Sequence, residues 1–286
     1  MTMTRRDFLK VTAAGVVTAT AASHLVAADA AAAPRIHIGS CHIGLAKAKE
    51  AGLDGVEIGA GGPGETISVA DPKVRERCKA EMKESGLVVS SLMMSVFNSN
   101  PLASDPHGQA WLEQAIDGAK DLGAKVILVA FFGKGSLKEG KAVKKADVDV
   151  VVQRLKAVAS RAKDAGVTLG IENTISAQDN LEILERVGSD AVGVYYDVFN
   201  LTGEGYDTPA EIRLLKDHIC QFHFKNGGEY LESEKGRVKW EPVAQAIKDI
   251  NYKKWIVLET SNPSKDVVAD DKKNAQYIRK LFGMTA

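Results

Sequence analysis

The sequence predicts an α/β chain folded as a single-domain (β/α)8 barrel. Three observations predict it. About 250 residues follow an amino-terminal leader, the usual size of such a barrel. Short runs rich in β-branched residues recur eight times, each followed by a polar or glycine-containing loop and then a helical pattern. Those runs are apolar on both faces, as parallel strands covered by helices are.

In chain order, the predicted strands are 35–41, 55–59, 87–94 and 125–132 in the first half, and 167–173, 192–197, 219–225 and 255–260 in the second. Helical periodicity is clearest over 147–165, where Val148, Val151, Leu155, Val158, Ala162 and Ala165 fall at three- and four-residue spacings. Val243, Ala246, Ile247 and Ile250 repeat it. Gly52, Gly86, Gly123 and Gly166 each precede a strand, where a helix is expected to close in left-handed geometry. Residues 133–146, with Lys138, Lys141, Lys144 and Lys145, read as a solvated loop, and no linker divides the chain. A doubly wound open sheet would place a glycine-rich nucleotide turn after its first strand, whereas Gly39-Ser40-Cys41-His42 has no such pattern.

Lys plus Arg equals Asp plus Glu at 37 each, so no global positive field favours nucleic acid or an anionic membrane surface. Cys41, Cys78 and Cys220 are too few and too scattered for a disulfide scaffold or a thiolate cluster. The chemistry is expected to use oxygen and nitrogen.

The run Thr4-Arg5-Arg6-Asp7-Phe8-Leu9-Lys10, followed by small apolar residues, resembles a twin-arginine export signal. Val11 to about Ala22 is too short for a bilayer span, which needs about 20 residues. Several Ala-x-Ala choices lie within 27–33, which predicts a leader over 1–33 and a mature domain over 34–286. The resemblance implies a periplasmic or extracytoplasmic protein without a stable membrane anchor after cleavage. Because that route carries folded proteins, it suits a metal loaded before export.

Catalytic groups of a (β/α)8 barrel sit at the carboxyl ends of its strands. Four polar residues occupy those positions on the last four strands: Glu172, Asp197, His223 and Glu259. Each acid taken singly would ordinarily cap a helix or pair with a lysine. Three carboxylates converging at one mouth would repel one another unless a cation neutralised them. A carboxylate-rich set with one imidazole and no thiolate predicts one divalent metal, Mn²⁺ first, then Mg²⁺, Co²⁺ or Zn²⁺.

The order Glu, Asp, His, Glu, within Ile171-Glu172-Asn173, Tyr196-Asp197-Val198-Phe199-Asn200, His223-Phe224-Lys225-Asn226 and Val257-Leu258-Glu259-Thr260, resembles the xylose isomerase-like TIM-barrel superfamily of sugar isomerases and epimerases. The likeness extends over essentially the whole mature chain, including Gly52-Leu53-Asp54-Gly55-Val56-Glu57 at the second strand. It implies that Glu172, Asp197, His223 and Glu259 hold the metal, and that Glu172 and Glu259 also transfer protons. Glu57 binds substrate or supports a ligand. Ketose epimerases of the family usually carry a second histidine where this chain has Asn200, and Asn226 replaces the aspartate of a common His-x-Lys-Asp motif. Those departures leave the substrate open and the metal set intact.

Such a site implies enolisation through a cis-enediolate, with the second proton transfer deciding between epimerisation and isomerisation. A lyase or dehydratase expelling a β-substituent from a keto-sugar or 3-keto-glycoside is the alternative, and a non-catalytic periplasmic sugar-binding protein is another. Candidate substrate-binding residues are Glu57, His42, Asn200, Lys225 and Trp240. Lys225 would orient an oxygen or pair with an acid, and His42 would meet sugar hydroxyls or pack. Phe131, Phe132, Phe199 and Trp240 would wall the sugar or complete the core. Gly133-Lys134-Gly135-Ser136 lacks the longer phosphate-binding pattern and reads as a flexible loop. Export favours an unphosphorylated carbohydrate, since sugar phosphates are retained inside cells. A nuclease branch of the superfamily needs more histidines and a basic surface. Without Arg5, Arg6, Lys10, Asp7 and Asp29 the mature chain has 34 basic against 35 acidic residues, which argues against nucleic acid. The family likeness also implies a homo-oligomer.

Overall fold

A computed structural model describes residues 35–284. The expected leader and its cleavage region lie outside the described residues. Eight parallel strands close into a barrel: β1 (His37–Ser40), β2 (Gly55–Gly59), β3 (Val88–Met94), β4 (Val126–Ala130), β5 (Thr168–Glu172), β6 (Val192–Asp197), β7 (Ile219–Phe224) and β8 (Trp255–Leu258). β1 closes the ring by pairing with β8, Ser40 opposite Leu258. All eight predicted strands form, trimmed by a residue or two at most of their ends.

The helices are α1 (Leu45–Glu50), α2 (Pro72–Ser85), α3 (Gly108–Leu122), α4 (Lys145–Ala165), α5 (Ala177–Val187), α6 (Val198–Gly203), α7 (Thr208–Leu215), α8 (Trp240–Asp249) and α9 (Val267–Phe282). Asp71, Ser176, Asp207 and Asp266 cap α2, α5, α7 and α9 by accepting backbone N–H groups of the first turn. Gly86, Gly123 and Gly166 close α2, α3 and α4 at φ of 75°, 77° and 67°, as the sequence predicts. Val148, Val151, Leu155, Val158 and Ala162 are the buried stripe of α4.

Alternation along the strands separates two cores. Residues such as Ile127, Val129, Phe222 and Phe224 belong to the large layer between strands and helices. A small cluster of Val126, Leu128, Ala130, Tyr195 and Cys220 is distinct from it, as the interior of a closed barrel is. Residues 133–146 are more ordered than a solvated loop. A 3-10 turn (Gly133–Gly135) precedes a two-stranded antiparallel hairpin of Lys138–Glu139 with Ala142–Val143. Buried Leu137 anchors this segment, and Lys138 pairs with Glu204 at 2.5 Å.

Register shifts occur between Val56 and Glu57 against β3, and between Val194 and Tyr195 against β7. Each places an extra residue on the partner strand, bringing Ser91 opposite Glu57 and Gln221 opposite Tyr195. The result is a buried polar layer immediately beneath the candidate site. Among the described residues, no helix is long and apolar enough to cross a membrane.

Candidate active site

Glu172 ends β5, Asp197 ends β6, His223 is the penultimate residue of β7, and Glu259 follows β8. Pairing sets them at one height: Asp197 lies opposite His223, His223 lies opposite Val257, and the Glu259 N–H donates to Phe224 O at 3.0 Å. One potential ligand atom from each of the four lies within 4.8 Å of the others. Glu172, Asp197 and His223 are buried, and the Glu259 side chain is partly exposed.

Local structure fixes these side chains. After Glu172, the Asn173 amide donates to Asn180 Oδ1 at 2.8 Å, tying the end of β5 to α5. Asp197 divides its two oxygens. Oδ1 caps α6 by accepting the Asn200 N–H at 2.7 Å, while Oδ2 faces the cluster and lies 2.9 Å from Lys225 Nζ. Asp197 is therefore both a helix cap and a member of the cluster. Lys225 also reaches Glu259 Oε2 at 2.5 Å, so of its two expected roles the ion pair is the one displayed.

His223 joins the site to the layer below. Nδ1 is 3.1 Å from Glu172 Oε1 and 3.5 Å from Glu259 Oε2, while Nε2 is 2.9 Å from Glu57 Oε1. Glu57 Oε2 accepts from Ser91 Oγ at 2.7 Å and from Tyr195 OH at 3.0 Å. The Gln221 amide donates to both hydroxyl groups. Glu57 is 1 % exposed with both oxygens engaged, Oε1 by the His223 ring and Oε2 by Ser91 and Tyr195.

The electrostatics are those of crowded acids. Burial, reinforced by Asp197 and Glu259, pushes the Glu172 carboxyl up to about 7 against the pull of His223. Burial also raises Asp197, with Lys225 and His223 opposing. Burial would raise Glu259, but His223 and Lys225 outweigh it and hold the carboxyl below its ordinary range. Burial opposes charge on His223, yet Glu57 and Glu172 raise it well above the usual imidazole value. Three carboxylates with one imidazole and no thiolate in the quartet, with one ligand atom of each within 4.8 Å of the others, fit a divalent cation.

A cavity of about 250 Å³ opens over the cluster, lined in part by Glu172, Asn200, Lys225 and Glu259. It approaches the lower end of small-ligand pockets, roughly 300–1,000 Å³. Met93, Ser95, Asn98, Ala130 and Phe132 complete its lining. The Phe132 N–H donates to Asn98 Oδ1 at 3.0 Å, fixing that wall. Met93, Ser95 and Asn98 carry no ligand chemistry, so nothing in the sequence marks them as lining residues. Tyr195 and Gln221 were missed, although each lies two residues before a site residue and so shares its strand face.

Two expected substrate contacts lie outside the cavity lining. Trp240 is the first residue of α8, 2 % exposed, with its ring 4.4 Å from that of Phe224 in the outer core. Phe224 points outward, opposite to His223, so a ring packed on it faces the helices. His42 Nε2 lies 3.0 Å from Asp271 Oδ1 of α9, and the ring lines a groove beside α1. It pins β1 to α9. Of the other aromatic candidates, Phe132 lines the cavity, Phe131 is in the outer core, and Phe199 lies beneath Arg237.

A family profile described as a xylose isomerase-like TIM barrel matches residues 45–281. A 2-epi-5-epi-valiolone 7-phosphate 2-epimerase of an Actinoplanes species is 28% identical over 192 residues, 66% of this chain and 68% of that protein. A D-psicose 3-epimerase of Enterocloster bolteae is 24% identical over 231 residues, 74% of each chain. Among solved structures, 3-keto-D-glucoside 4-epimerase from E. coli superposes with a TM-score of 0.71 at 16% identity, over 86% of this chain and 100% of that one. D-allulose 3-epimerase from Methylomonas in complex with D-allulose gives 0.72 at 19%, over 86% and 97%. With the match spanning nearly every βα unit, this chain belongs to the xylose isomerase-like TIM-barrel family.

Proposed function

We propose that this chain is a divalent-metal-dependent sugar epimerase or isomerase acting on an unphosphorylated sugar or sugar derivative, with Mn²⁺ the first choice of ion. The observation that carries it is the quartet Glu172, Asp197, His223 and Glu259, gathered within 4.8 Å beside a cavity of sugar-binding scale. These four would hold the metal. When bound, the ion supplies Lewis acidity toward a carbonyl and its neighbouring hydroxyl. Glu172, with its carboxyl near 7 before any cation binds, and Glu259, held below its ordinary range, are the proton-transferring pair. Lys225 keeps Asp197 and Glu259 in place, and Glu57 orients the His223 ring.

Lys225 is the one cationic residue lining the cavity among the described residues, and it is already engaged by two carboxylates. That supports an uncharged substrate over a sugar phosphate. Names among the relatives include both free sugars and phosphates, so the preference rests on this cavity. The Arg5-Arg6 leader supports a periplasmic site of action. Elimination from a 3-keto-glycoside is the second reading. A 3-keto-D-glucoside epimerase among the structural neighbours makes such keto-sugars the substrates to include.

The test is metal-dependent C–H exchange in D₂O, followed by proton NMR with free ketoses, 3-keto-glycosides and their phosphorylated counterparts. Loss of one α C–H signal with Mn²⁺, absent in Glu172→Gln, is the expected result, and the product separates epimer, isomer and eliminated species. Exchange confined to phosphorylated substrates overturns the substrate class. Sugar binding without exchange, in metal-loaded protein, overturns the enzyme.

A further inference from the structure

Cys41 has no part in the proposed proton transfers, yet it sits at the site. It follows β1, and its N–H donates to Leu258 O at 3.1 Å, next to Glu259. Its thiol is unpaired and partly covered. One ligand atom each from Cys41, Glu57 and His223 lies within 4.8 Å of the others, a second group that shares only His223 with the quartet. The imidazole offers its two nitrogens in two directions, Nδ1 to Glu172 and Glu259, Nε2 to Glu57. Glu57 is divided in the same way. Ser91 and Tyr195 hold its Oε2, which leaves Oε1 facing Nε2 without loosening the carboxylate.

We propose that Cys41, Glu57 and the Nε2 side of His223 form an inner site for thiophilic divalent ions such as Zn²⁺ or Cd²⁺, an alternative to the outer oxygen-rich quartet. The donor types support this division. A thiolate with imidazole and one carboxylate favours soft or borderline ions, whereas three carboxylates with imidazole suit Mn²⁺ or Mg²⁺. Tetrahedral zinc with such ligands separates its donors by roughly 3.3–3.8 Å, so the Nε2 and Glu57 Oε1 pair, 2.9 Å apart, opens slightly and the thiol approaches by up to about 1 Å to admit an ion.

Protons set the exclusion between the two sites. An inner ion takes the Nε2 lone pair and the Cys41 thiolate, and the protons of both go to solvent; the ring keeps Nδ1–H, donated to Glu172. An outer ion takes the Nδ1 lone pair and leaves Nε2–H donated to Glu57. A neutral imidazole has one lone pair, so only one of the two ions is held by His223 at a time. A thiophilic ion thus displaces the outer ion. The exclusion rests on the metal reading proposed above, while the inner site rests on Cys41, Glu57 and His223 alone.

The experiment titrates the metal-free full-length protein with Cd²⁺, reading thiolate-to-cadmium charge transfer in the ultraviolet and a sulfur neighbour of cadmium by X-ray absorption. A second arm follows release of bound Mn²⁺ by electron paramagnetic resonance as Cd²⁺ is added. Expected are a sulfur neighbour at a stoichiometry of one, a band lost in Cys41→Ser, and at least about tenfold more Cd²⁺ needed by that variant to release Mn²⁺. Cadmium bound without a sulfur neighbour in the unsubstituted protein overturns the inner site. A band persisting in Cys41→Ser, and so arising at Cys78 or Cys220, does the same. Manganese that fails to bind while the Cys41 signature is intact overturns the outer site and the exclusion, and leaves the inner site standing.

Discussion

The two halves of the barrel divide the labour of the candidate site. At the carboxyl ends of β5 to β8 stand Glu172, Asp197, His223 and Glu259, of which Glu172 and Glu259 line the cavity directly. β1 to β4 contribute the supports: Glu57 and Ser91 beneath the His223 ring, and Met93 and Ala130 in the cavity wall. The second half carries the clustered charge, while the first supplies most of the support, helped by Tyr195 of β6 and Gln221 of β7. The distinction is one of position as well as sequence, because Glu57 meets Nε2 of the His223 ring whereas Glu172 and Glu259 meet Nδ1.

Substitutions sharpen that contrast unequally. Glu172→Gln, on the charged half, is expected to lower metal-dependent exchange roughly 10²–10⁴-fold, measured as the initial rate of C–H loss. Trp240→Ala strikes the outward face of the same half and should cost about 3–5 kcal/mol of stability by denaturant unfolding. Residual folded protein should keep its rate, because the ring lies against Phe224. Glu57→Gln tests the supporting half. It should weaken Mn²⁺ binding roughly 10–100-fold with the fold retained, since it removes the partner that sets the His223 tautomer.

A change of pH loads the charged half without mutation. Glu172 holds its proton in the folded, metal-free chain up to about 7 against an ordinary 4.5. The stability this contributes is present below the ordinary value and is lost as pH rises toward 7. His223, shifted up from 6.5, adds a loss in the same direction at higher pH. Mn²⁺ should therefore raise Tm by more at about pH 8 than at about pH 5.5, and the difference should shrink in Glu172→Gln. The smallest effect is expected of His42→Ala. It removes a contact to buried Asp271 and should cost about 1–3 kcal/mol in thermal unfolding, with exchange rates changed less than about threefold.

Much of the charged half was readable in the sequence, because each of its acids follows an apolar run and strand ends of this fold converge. The supporting half was not. Glu57 was identified, but its partners depend on register shifts at Val56/Glu57 and Val194/Tyr195 that no alternation pattern announces. His42 and Trp240 lie away from the cavity lining for a related reason. Residue type marks an aromatic or imidazole side chain as useful, whereas the face it occupies is settled by chain direction after a strand ends. Lys225 shows the reverse, since its proximity to His223 in sequence leaves two roles open, and the structure displays the ion pairs to Asp197 and Glu259 while keeping the residue in the cavity lining.

The division of Asp197 between a helix cap and the cluster makes the backbone a reporter. The Asn200 N–H is held by the same carboxylate whose other oxygen faces the candidate metal position. Any turn of that carboxylate toward an ion must strengthen or strain the first hydrogen bond of α6. Amide hydrogen exchange at Asn200 would then register occupancy of the site from a peptide group that never touches the ion, and would do so in the absence of substrate.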